Sequence, residues 1–80
     1  MDRVLLITIV STDQSLYYSI PCKSTDPFYK VENKLYQEYP QYREKDCFFL
    51  NRGQKINRNK TMDENHIKNG DLVMIFPLDE

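Results

Sequence analysis

In eighty residues the hydrophobic pattern takes on a helical period only once, in "KSTDPFYKVENKLYQEYPQY" (Lys23–Tyr42). Phe28, Val31, Leu35 and Tyr36 recur there at i, i+3, i+7 and i+8, which is a single apolar stripe. Thr25 or Asp26 is placed to cap the start, and Pro27 stands at the first helical position. Pro40 ends the helix near Glu38 or Tyr39. Lys30, Glu32, Asn33 and Glu38 are expected to face solvent. A chain with one striped helix among strands must lay that helix across one face of a sheet, because nothing else can cover the stripe.

The flanking segments supply the strands. "RVLLITIVS" is β-branched and apolar on both faces, with Leu5, Ile7 and Ile9 on one and Val4, Leu6, Thr8 and Val10 on the other. Two apolar faces argue for an inner strand. "STDQS" is a turn, and "LYYSIPC" returns with Tyr18, Ile20 and Cys22 on one side. Pro21 lacks a ladder donor, so that strand is an edge or stops there. After the helix come "DCFFL", a turn at "NRG" with Gly53 at positive φ, a brief "QKI" and a loop with one short helical turn around Met62–Asn65. A tight turn at "KNGD" then leads into "LVMIF". The order is β-β-α-β-β-β, and the first and last strands can pair in parallel at the centre. The expectation is one α+β domain spanning residues 1–80, with a mixed sheet of four to five strands packed on one helix.

Several function classes are excluded at this level. The net charge is −1 with basic residues dispersed, so there is no stripe for nucleic acid or an anionic membrane. No apolar run approaches the ~20 residues of a membrane span, and the N-terminal run of seven reads as a strand rather than a signal peptide. Cys22 and Cys47 lack metal spacing and are expected as free thiols in a reducing compartment, the cytoplasm or nucleus. Asp63, Glu64 and His66 crowd one loop and could suggest acid–base or ligand chemistry. A lone histidine with no second ligand one helical turn away makes a poor metal site, and no nucleophile stands nearby in sequence. These residues are expected to serve the loop, and the chain is expected to be neither an enzyme nor a carrier of a metal or cofactor.

The ordered set Phe49, Gly53, Ile56, Lys60-Thr61-Met62, Ile67, Gly70-Asp71 and Val73/Ile75, with Phe28, Val31 and Leu35 on the helix, resembles the ubiquitin-like family over roughly residues 3 to 77. The resemblance implies the β-grasp fold. It also implies a core in which the three helix residues close over Ile7, Ile9, Tyr18, Ile20, Phe49, Ile56, Met62, Ile67, Val73 and Ile75. Cys22 and Cys47 then lie at opposite ends of the sheet, and no disulfide is expected between them.

Family members that are conjugated or carry sulfur end in a flexible Gly-Gly tail, whereas this sequence closes on "FPLDE". The resemblance therefore implies a non-conjugated interaction module, monomeric and without nucleic-acid or membrane partners. It would act as an adaptor domain for a ubiquitin-receptor-like protein or for another domain of the same chain. The surface implied is the outward sheet face: Leu50 and Phe76 at the positions of ubiquitin's apolar patch, Leu72, Met74 and Leu6 extending it, and Arg52 at its rim. The patch position in the first hairpin turn falls on polar Ser11–Thr12. Gln54 and Asn69 replace the main chain-linkage lysines.

Two other readings stay open. One is a small free-standing bacterial ubiquitin-like protein of a specialised secretion system. The other is a modifier or sulfur-carrier precursor, if the natural chain continues to Gly-Gly. A Ras-binding relative would need a basic second strand, and "LYYSIPC" is uncharged. Tyr36, Tyr39 and Tyr42 are expected to cover the core's edge with their hydroxyls in water.

Overall fold

The computed structural model describes residues 2–78, so Met1, Asp79 and Glu80 lie outside the described residues. Five strands, β1 (Val4–Ser11), β2 (Tyr17–Lys23), β3 (Cys47–Asn51), β4 (Gln54–Lys55) and β5 (Leu72–Pro77), form one sheet in the order β2-β1-β5-β3-β4. β1 and β5 pair in parallel, with Ile9 opposite Val73, and the other pairs are antiparallel. The helix α1 (Phe28–Glu38) lies on one face, followed by a 3₁₀ turn at Pro40–Tyr42. This is the α+β arrangement expected from the sequence, with five strands.

The strand chemistry explains the order. β1 is apolar on both faces because it is an inner strand with the helix over one of them. Pro21 fits because β2 is an edge. Leu6, its partner across the ladder, turns its own backbone the other way, accepting from Gly70 N–H and donating to Asn69 Oδ1. The missing donor of Pro21 therefore faces the open side. β3 and β4 are joined by Arg52 (φ 54) and Gly53 (φ 78), a two-residue turn with both residues left-handed, which suits the strand twist.

The core lies between helix and sheet. Phe28, Val31, Leu35, Ile7, Ile9, Ile20, Phe49, Ile56, Met62, Ile67, Val73 and Ile75 are buried as expected, and Tyr18 packs on their margin. Leu16, of the same parity as Tyr18 and Ile20, and Tyr42, which the helix period did not claim, join them. Phe28 meets Phe49 edge-on with ring centroids 5.0 Å apart. Each such side chain contributes about 1.5–3 kcal/mol by leaving water.

Three local expectations need correction. The helix has no side-chain cap, and Pro27 itself is the capping residue. The first helical N–H groups are instead satisfied by the loop: Phe28 N–H donates to Lys60 O (3.0 Å) and Tyr29 N–H to Arg58 O (3.1 Å). Asp26 is occupied elsewhere, accepting from Lys23 N–H and pairing with Lys30. Second, Glu32 does not face solvent; it is 3 % exposed. Its carboxylate accepts from the Tyr36 hydroxyl (2.7 Å) and pairs with the Arg58 guanidinium (3.2 Å). Third, the Tyr36 hydroxyl is consequently not in water, and Tyr42 is buried.

Candidate functional site

Strand alternation turns Leu6, Thr8 and Val10, Tyr17 and Ser19, Phe48 and Leu50, and Leu72, Met74 and Phe76 away from the helix. The registers make these residues continuous. One cross-strand row runs Tyr17–Val10–Met74–Leu50–Lys55. Beside it Phe48 lies opposite Phe76, their rings stacked with centroids 5.1 Å apart and an interplanar angle of 13°. On the other side Leu72 lies opposite Thr8, and Thr8 shares a hydroxyl hydrogen bond with Ser19.

Leu72 is 53 % and Tyr17 69 % exposed, while Leu50, Met74 and Phe76 are half-buried because they shield one another. Between the hairpin and β5 lies a hollow of about 380 Å³ lined by Val10, Thr12, Gln14, Tyr17, Leu72 and Met74. The charged side chains that the registers place on this face of the strands are Lys23 and Lys55, both cations. The face can desolvate a partner's apolar side chains, and its electrostatics favour a negative rim on that partner.

Of the five residues expected at this surface, the structure brings Leu50, Leu72, Met74 and Phe76 together on it. Arg52 stands apart. Its guanidinium bonds the Asp71 carboxylate (3.0 Å), which also accepts from Lys68 N–H and the Asn51 amide, and Arg52 lines a separate polar hollow with Gln54 and His66. Val10, Tyr17 and Phe48 belong to the face and were missed. Val10 shares parity with Leu6, and Phe48 with Leu50, which was the available signal. Tyr17 needed the hairpin register. Tyr17 supplies apolar surface near the hairpin end, with Val10 buried beneath it, where Ser11 and Thr12 are polar. In the turn itself the Asp13 carboxyl is held down at about 2 by hydrogen bonds from the Ser11 hydroxyl and from the Ser15 N–H and hydroxyl.

The loop residues that suggested chemistry have structural partners. Thr61 and Glu64 form a reciprocal cap: Thr61 N–H donates to Glu64 Oε1 and Glu64 N–H to the Thr61 hydroxyl, both at 3.0 Å. Asp63 pairs with Arg3. His66 sits at φ 60 where the turn reverses. Among the described residues no group of three His, Cys, Asp or Glu side chains could hold a metal. Both cysteines are buried free thiols. Burial, helped by the Asp26 charge, pushes Cys22 up to about 11, and burial with the Glu32 charge pushes Cys47 up as well. Neither thiol is activated.

No family model and no curated protein matches the sequence. Solved structures do match. A protein designed de novo on the basis of ubiquitin is 17 % identical, with a TM-score of 0.80 over 96 % of this chain and 92 % of that one. The solution structure of the ubiquitin-like domain of an Arabidopsis thaliana protein is 11 % identical, with a TM-score of 0.82 over 98 % of this chain and 81 % of that one. At these identities the likeness establishes the fold, a ubiquitin-like β-grasp, and leaves activity to be argued from the surface.

Proposed function

We propose that this chain, with its ubiquitin-like β-grasp fold, is a non-conjugated interaction module that binds a partner protein through the outer sheet face. The observation that carries the reading is the apolar cross-strand row of exposed Tyr17, buried Val10 and half-buried Met74 and Leu50, flanked by the Phe48–Phe76 stack and the exposed Leu72. An apolar surface continuous across four strands and ending in a lysine has the composition of a recognition patch: aromatic and methionine anchors at the centre, polar residues around them. The helix face of the sheet is already filled by the core, so this face is the one left to bind. Two buried, unactivated thiols suit a reducing compartment.

The test is affinity capture of cellular partners by the wild-type chain beside Leu50→Ala and Phe76→Ala, read by quantitative mass spectrometry. Both substitutions trim half-buried side chains on the outer face, so the amide NMR spectrum should keep its dispersion while capture of the specific partner falls about tenfold or more, as at binding hot spots. Equal capture by wild type and both variants refutes the surface.

A further inference from the structure

β4 is two residues long and β3 is five, so the Cys47–Phe49 half of β3 has no strand along its outer side. The chain after β4 folds back across it instead. Ile56 N–H donates to Phe49 O (2.9 Å), and the Arg58 guanidinium donates to Cys47 O (3.0 Å). Between these contacts lies a groove of about 420 Å³. Its apolar lining includes Phe48, Phe49, Ile56 and Leu78, and its polar rim includes Lys55 and Arg58.

None of the described lining residues is acidic. The Lys55 ammonium stands 5.7 Å from the centroid of the Phe48 ring, and its side chain is exposed. Arg58 is anchored from behind by the buried Glu32 carboxylate and by Cys47 O, yet half its side chain remains exposed. The Glu32 pair offsets part of the Arg58 charge. It also fixes the guanidinium at the rim, so a ligand carboxylate meets a donor that is already ordered. Of the described acids near the groove, Glu32 is buried behind Arg58 and Asp46 is not part of the lining; Asp79 and Glu80, which follow Leu78, lie outside the described residues.

The groove adjoins the outer face. Phe48 stacks on Phe76 on that face and lines the groove, and Lys55 ends the cross-strand row after Leu50. We propose that the groove receives an acidic segment of the protein bound on the outer face. One apolar side chain of that segment lies against Phe48 and Leu78, and its flanking carboxylates meet Lys55 and Arg58. The proposal rests on the outer-face reading and adds the partner's chemistry to it.

Two blocked peptides test it, Glu-Glu-Leu-Phe-Glu-Glu and its neutral counterpart Gln-Gln-Leu-Phe-Gln-Gln, each titrated into the full ¹⁵N-labelled chain. The acidic peptide should shift the amides of Phe48, Lys55, Ile56 and Arg58, and bind about fivefold tighter than the neutral one at low salt, an advantage that added salt screens away. Lys55→Glu should abolish that preference and also weaken capture of the cellular partner. Lys55 carries the test because Arg58 also holds Glu32. If Lys55→Glu retains the partner fully while Leu50→Ala loses it, and the two peptides bind alike, the groove proposal is overturned and the outer-face reading survives. If Lys55→Glu loses the partner while Leu50→Ala and Phe76→Ala keep it, the outer-face reading fails instead. If the acidic peptide binds only after Asp79→Asn and Glu80→Gln are introduced together, the occupant is the chain's own end and the proposal is overturned.

Discussion

Glu32 is the residue whose environment departs furthest from its type. A carboxylate 3 % exposed is tolerated because the Arg58 guanidinium and the Tyr36 hydroxyl both reach it. Arg58→Met would strand the charge, and urea titration should show a loss of about 3 kcal/mol or more. Glu32→Gln in the same background should recover part of that loss, which separates the stranded charge from lost packing. The burial of Glu32 was only partly legible. Position 32 is four residues after Phe28 and four before Tyr36, so the helical period permits an inward-facing stripe of 28, 31, 32 and 35. Charge alone argued for solvent, and the partner that overrides it, Arg58, comes from a distant loop.

Cys22 makes the second prediction at this scale. Its thiol titrates near 9 when unfolded and is raised to about 11 when folded, so the folded state favours the neutral form. The stability this gives is whole below about pH 9 and is lost as pH rises through about 11, a slope in denaturation free energy that Cys22→Ala should lessen, the raised Cys47 thiol keeping a part of the same sign.

At the scale of elements, the helix depends on a distant loop, at Arg58–Lys60, for its first hydrogen bonds. That loop is itself braced by one side chain. Asn65 Oδ1 accepts from Asn57 N–H (2.9 Å), and its Nδ2 donates to Asn57 O (2.9 Å) and Thr61 O (3.0 Å). Asn65→Ala should cost about 2–3 kcal/mol. Because Arg58 O and Lys60 O cap α1, hydrogen exchange at the Phe28 and Tyr29 amides should quicken in that variant. Removing the Thr61 hydroxyl takes away half of the reciprocal cap and should cost about 1 kcal/mol in the same assay. The sequence showed the helix stripe, both of its ends to within a residue and the polar turn. It could not show who caps the helix, since backbone carbonyls carry no sequence signature and Asp26 looked available for the task.

For the whole molecule, the order of elements, the parallel centre and the edge position of the proline-bearing strand were legible. Each follows from a local rule: alternation, an N–H that proline lacks, or a stripe that needs a cover. The outer face was legible only by halves. Leu50, Met74 and Phe76 could be placed along their own strands and Val10 by its parity with Leu6, whereas Tyr17 reaches the face through the hairpin register. Phe48 shows its importance only once it is seen stacked on Phe76. The same limit hid the groove, because the shortness of β4 and the fold-back of Ile56–Arg58 depend on how far two strands stay paired.

The position of β5 has a consequence for how the chain comes into being. The last of these five strands to be synthesised is the middle of the sheet, lying between β1 and β3. Until Leu72–Pro77 leaves the ribosome, the earlier strands present two inner edges with no neighbour between them, the kind of edge on which nascent chains aggregate. The sheet then closes in one late step that joins the two ends of the sequence, and contacts of such long range make folding slow, in milliseconds to seconds rather than microseconds. A ribosome paused a few codons before Leu72 would hold a helix, a hairpin and a loop with no strand to unite them.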